Sequence, residues 1–108
     1  MNEKFPERDW KQFRKRLPGW QEAYMERLVK EYTDLLTSEG KASEKFWKLD
    51  KWINRDKRKS GVVVYNIRRS TMIQELVRLM QCDAITAEDL EGFTDETRER
   101  VLMIASHS

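Results

Sequence analysis

Two residues with the side chains for nucleophilic chemistry stand out by their scarcity: one cysteine, Cys82, and one histidine, His107, in 108 residues. A thiol needs a base to activate it. The sequence offers none, because Cys82 closes an apolar helical pattern while His107 lies at the far end of the chain. A free cysteine in that setting is a small buried hydrophobe. Structural zinc needs four Cys or His ligands, and the count fails. Asp83, Glu88, Asp89 and Glu91 could approach a hard cation, but their spacing does not match the calcium loop with its central glycine and final glutamate. They suit a helix N-terminus better, where acidic groups meet the positive end of the dipole. No phosphate loop, nucleophile elbow or dinucleotide fingerprint occurs. The expectation is a protein without catalytic residues, metal or cofactor.

Cations and aromatic rings are the remaining chemistry. Lys41 to Arg69 holds ten basic and three acidic residues, whereas Asp83 to Glu99 holds seven acidic and one basic. Arg55, Lys57, Arg58, Lys59, Arg68 and Arg69 could neutralise phosphates, with Trp47 and Trp52 stacking on bases. Cations at helix C-termini explain the same run with no ligand, and an overall pI near 8.7 is mild for a nucleic-acid binder. Trp47 beside Lys48 and Lys51 has the composition of a protein-interface hot spot. Its wheel position lies well away from Phe46 and Ile53, so Trp47, flanked by Trp52, is the candidate anchor for a partner or a second copy. Protein association is therefore favoured over nucleic acid.

These residues must be positioned by helices. Charged residues are 37% of the chain against roughly 25% in an average domain, so much of the core volume falls to four Trp, four Phe, three Tyr and five Met. The length suits one domain, residues 1–108, with frayed ends at about 1–6 and 105–108. Apolar runs such as Val62–Tyr65 are far below the ~20 residues of a membrane span. Neither a signal peptide nor a disulfide framework is legible, which points to the cytoplasm.

The periodicity predicts an all-α fold of four to five helices. The first covers about Glu7–Arg16, with Trp10, Phe13 and Leu17 inward, and Pro18 ends it while starting the next. The second, about Pro18–Thr37, presents the widest apolar arc (Tyr24, Met25, Leu28, Val29, Tyr32, Leu35, Leu36) and is read as central, touching two or three neighbours and capped by Gly40. The third, about Ser43–Arg58, packs through Ala42, Phe46, Leu49 and Ile53. Residues 62–67 alternate as a short strand would, yet no second strand exists to pair with it, so helix or irregular turn is favoured. Strand followed by two helices resembles the order of ribbon-helix-helix repressors, but valines stand where polar base-reading side chains belong. Ser70 is read as the N-cap of a helix through Ile73, Leu76, Val77 and Met80. Thr86–Asp89 approximates a capping box. Leu90 and Phe93 plug the core, and Thr94 opens a last helix facing inward through Val101, Leu102 and Ala105.

Trp20–Met25, Ala42–Trp47 and Ile85–Leu90 resemble segments of short bacterial proteins of about this length that lack an assigned activity. Some carry the label multidrug transporter, which disagrees with a chain lacking an apolar span. The last third also looks like small helical modules that serve bacterial proteins as oligomerisation elements. The resemblance implies a self-associating or partner-binding protein and carries over no site residues.

Overall fold

A computed structural model describes residues 6–107. Among them lie four α-helices: α1 (Glu7–Thr37), α2 (Ala42–Asp56), α3 (Met72–Gln81) and α4 (Asp95–Ser106). Short 3-10 turns cover Arg69–Thr71 and Ala87–Leu90, and the fold is all-α. The frayed N-terminus lies mostly outside the described residues. At the other end α4 continues to Ser106, with Ala105 half-buried.

The two helices expected on either side of Pro18 are one. α1 runs unbroken through the proline, although a proline inside a helix costs about 3 kcal/mol. Pro18 and Gly19 both face solvent, while Phe13 and Leu17 before them and Tyr24 and Leu28 after them are buried on one stripe. Burying large apolar side chains is worth about 1.5–3 kcal/mol each, so the stripe outweighs the lost hydrogen bond. α1 ends at Thr37 through Ser38, whose Oγ donates to the Leu35 carbonyl at 2.6 Å. Gly40 is not the helix cap; it turns the following bend with φ +137°.

The core unites the first half of α1 with α3, α4 and the Ala87–Leu90 turn: Phe13, Leu17, Met72, Leu76, Val77, Leu79, Ile85, Leu90, Phe93 and Val101. Trp10, Phe13, Trp20 and Phe93 form a chain of rings, with successive centroids 6.0–6.5 Å apart. α3 starts after the 3-10 turn, so Ser70 is not its N-cap. It ends with Asp83 at φ 64° and the Ala84 amide on the Leu79 carbonyl at 2.8 Å. Thr86 donates its amide to Asp89 Oδ2 at 2.8 Å, as a capping box requires. On α4 the inner face is Thr97, Val101 and Ala105, whereas Leu102 is exposed because it stands one 100° step from Val101.

Asp9 locks this end together. Fully buried, its carboxylate accepts the Thr94 amide at 3.0 Å, the Thr94 hydroxyl at 2.7 Å and the Thr97 hydroxyl. Arg16 reaches the carbonyls of Asp89 and Glu91 at 3.0 and 2.6 Å, using its donors on a neighbouring turn rather than at a helix end. Residues 63–68 are neither helix nor strand but an irregular connection. Gln21 holds it by the Ser60 carbonyl at 3.1 Å, and Gly61 lies against Tyr24 so closely that a Cβ would stand 2.5 Å from the ring.

Beyond Leu28 the second half of α1 pairs with α2, through Tyr32 with Asp56 and Trp52 and through Leu36 with Lys45, as an antiparallel hairpin. The molecule is 56 Å long and about 25 Å across, with a radius of gyration of 16.6 Å against the ~13 Å of a compact chain this size. The arc read as central is therefore covered unevenly: Tyr24 and Leu28 are buried, whereas Val29 and Leu36 at the hairpin end are exposed.

Candidate docking surface on the helical hairpin

The hairpin is built from a polar seam and an apolar flank. Along the seam, α2 turns Lys45, Lys48, Leu49, Trp52 and Asp56 toward α1, a helical i, i+3, i+4, i+7 set. Lys45 Nζ donates to the Leu36 carbonyl at 3.3 Å, and the Trp52 and Tyr32 rings lie 6.4 Å apart. Asp56 is the one buried residue of α2, 1% exposed. Its carboxylate accepts Arg55 Nε at 2.8 Å and the Tyr32 hydroxyl at 2.6 Å, with Lys59 Nζ 3.4 Å away. The Arg55 guanidinium, followed by the Tyr32 hydroxyl, holds the Asp56 carboxyl down at about 2. Loss of water at Tyr32 and its bond to the carboxylate push that phenol well above the usual range. Burial likewise raises Tyr24 to about 12.

The seam keeps Leu49 of the expected inner face but turns Trp52 and Asp56 inward, and this displaces the rest of that face. Phe46 and Ile53, read as core, are 62% and 41% exposed, and Ala42 is exposed. The reason is rotational: at 100° per residue, the stripe Ala42–Phe46–Leu49–Ile53 lies about 70° from the direction of Asp56 and Trp52. On α1, Val29 and Leu36 are rotated to the same side and are 60% and 48% exposed. The opposite side of the hairpin is a shallow groove in which Glu31, Asp34, Lys48 and Arg55 surround Leu35 and Trp52. One flank is apolar; the other mixes charges with partly covered apolar side chains.

Trp47 is 66% exposed, pointing away from α1, with its ring edge-on to Phe46 at 5.0 Å. It extends the apolar flank around the outside of α2. Trp52, the other aromatic partner candidate, is half-buried and already covered: Lys48 Nζ and the Arg55 guanidinium carbon lie 5.3 and 5.6 Å from its ring centre. None of the four tryptophans is fully buried; Trp10 and Trp20 edge the core and the other two belong to the hairpin.

The basic residues do not form one uninterrupted patch. Arg55 and Lys59 pair with Asp56, and Arg69 pairs with Glu7 at 3.3 Å. Arg58 lines a cavity of about 450 Å³ beside Ser60, Gln74 and Arg78. Lys57 and Arg68 are exposed. Cys82 is half-buried, its Sγ donating to the Leu79 carbonyl at 3.6 Å. Among the described residues no three His, Cys, Asp or Glu side chains are grouped to hold a metal, and no helix is long and apolar enough to cross a membrane. Asp83 and Asp89, from the acidic set, terminate α3 and cap the turn at Thr86.

The exposed flank was missed in the sequence because each helix taken alone has an ordinary amphipathic pattern. The available signal was the charge at Lys45 and Lys48 on what became the inner seam, with Asp56 one turn after Trp52.

No protein-family model, curated protein or solved structure matches the chain.

Proposed function

We propose that this chain is a non-enzymatic, cytoplasmic interaction protein in which the core end holds out the hairpin of α1 and α2 as a docking element. One observation carries the reading: Val29, Leu36, Phe46 and Ile53 stand exposed on a single flank, extended by Trp47. The largest contiguous apolar patch on a soluble monomer is often a binding surface. The three exposed residues Leu102, Met103 and Ile104 of α4 are successive, so they point in three directions and make no comparable face.

A photo-crosslinking side chain placed at position 29 or 53 in the producing cell should yield discrete protein adducts. The same group at Glu99, exposed on α4, should yield none. Absence of any discrete adduct from both hairpin positions sinks the docking role.

Weak nucleic-acid binding through residues 41–69 is the second reading, supported by the exposed Lys57, Arg58 and Arg68. It draws less support than docking, because Asp56 already neutralises Arg55 and Lys59 and two cations cover Trp52. Phosphate contacts would retain DNA or RNA at about 50 mM salt and release it steeply by a few hundred millimolar. Flat, absent retention at the lower salt removes this alternative.

A further inference from the structure

Building on the docking reading, we propose that the occupant of the apolar flank is a second copy of this chain. The two hairpins lie face to face, with α1 of each copy over α2 of the other.

The area fits. Val29, Leu36, Phe46 and Ile53 are 60%, 48%, 62% and 41% exposed; at about 150–200 Å² per large side chain they present roughly 300–400 Å² of apolar surface. A stable interface covers about 800 Å² per partner and is a little more than half apolar. The flank supplies most of that apolar part, and its polar margins supply the remainder.

The margins are self-complementary. At 100° per residue, Glu22 and Glu26 border the flank on its α1 edge, and Lys57 borders it on its α2 edge. All three are exposed and none has an ion-pair partner among the described residues. The antiparallel register, bracketed by Gln21 against Ser60, Tyr24 against Gly61 and Tyr32 against Trp52, sets Lys57 within about half a turn of Glu26. A two-fold axis parallel to the helices preserves level and exchanges α1 for α2. Glu26 of one copy then faces Lys57 of the other, twice per dimer, as an isologous contact requires. The product is a four-helix arrangement in which each hairpin helix gains the second neighbour it lacks alone.

The test is sedimentation velocity on the full chain from about 1 to 100 µM, with circular dichroism on every variant. The expected result is twice the 13.0 kDa chain mass at the upper concentrations. Ile53→Glu should weaken association at least tenfold, and so should Glu26→Lys, both without loss of helix. Combining Glu26→Lys with Lys57→Glu should restore association, which a generally disrupted surface would not. A monomer at 100 µM overturns the self-pairing, and so does a dimer that both single variants leave intact. If Ile53→Glu unfolds, the charge exchange decides alone. A monomer whose position 53 still crosslinks in cells to a different protein overturns self-pairing but leaves the docking reading standing; a monomer with no adduct removes both.

Discussion

The two ends of α1 obey different rules. At the core end, Phe13 and Leu17 disappear beneath α3, α4 and the Ala87–Leu90 turn, and even the charged Asp9 is fully buried with hydroxyl and amide partners. At the hairpin end, Val29 and Leu36 face solvent while the buried seam is held by the Asp56 carboxylate, a phenol and two cations. Apolar burial holds one end with a polar lock added; a polar seam holds the other while the apolar side stays open. The difference shows that an apolar arc on a helix announces a need for cover, and only the number of neighbouring helices decides whether the same chain meets it.

Truncation should expose this contrast most strongly at Phe13. Phe13→Ala removes a fully buried ring and should cost about 3–5 kcal/mol, seen as a large drop in global melting temperature; a loss below about 1 kcal/mol would mean the core end is not the stability centre. Asp9→Ala follows at about 2–4 kcal/mol, since it strands the Thr94 amide and two hydroxyls in the interior. Hydrogen exchange should then quicken across α4, and unchanged α4 protection would discount the lock.

Asp56→Ala should cost about 2–3 kcal/mol, much of it local to α2. Faster amide exchange in α2 with α3 and α4 little affected is the expected pattern; uniform acceleration would show that the two ends are not separable. The same group sets a pH response. Because its folded value lies near 2, below the 3.8 of the free carboxyl, the folded form holds the carboxylate more tightly than the unfolded one does. That stabilisation, roughly 2 kcal/mol, is complete above about pH 4 and is lost as pH falls toward 2. Trp52 fluorescence and α2 exchange should report it. No change in α2 across that window would contradict the seam.

Gly61→Ala should cost about 1–3 kcal/mol by driving a methyl into the Tyr24 ring, at the point where the two ends meet. Tyr24→Leu in the same background should recover part of the loss, and a neutral Gly61→Ala would place slack there. Trp47→Ala should change melting by the least, within about 0.5 kcal/mol, while weakening association if the apolar flank docks a partner. A melting loss of 3 kcal/mol with association unchanged would make Trp47 core.

Much of the core end was legible. Leu90, Phe93, Val101 and, on α3, Leu76 and Val77 were legible, whereas Met72 and Leu79, both fully buried, lie outside the stripe Ile73–Met80 read from spacing; the capping box at Thr86 follows from side-chain chemistry. Asp9 lies one turn before Phe13 on the core stripe, but a carboxylate near a helix N-terminus also suits the dipole, so its burial is not legible from the sequence. The break at Pro18 was the wrong inference because local propensity competes with burial on both sides of the proline. The hairpin was less legible. Wheel patterns rank faces by hydrophobicity, so they placed Phe46 and Ile53 inside. They could not anticipate that Asp56, Tyr32, Arg55 and Lys59 would satisfy one another and turn α2 by about 70°.

The bond from Asp9 to Thr94 and Thr97 also has a meaning in time. It joins residues 85 and 88 positions apart, whereas α1 and α2 meet across a four-residue bend. Short loops close sooner and at lower entropic cost than long ones. On that ground the hairpin's helices should meet early, and the core end should form when the first turn of α1 returns to the start of α4. Folding of this chain should be limited by that long closure, so Asp9→Ala should slow refolding, whereas Asp56→Ala should mainly hasten unfolding.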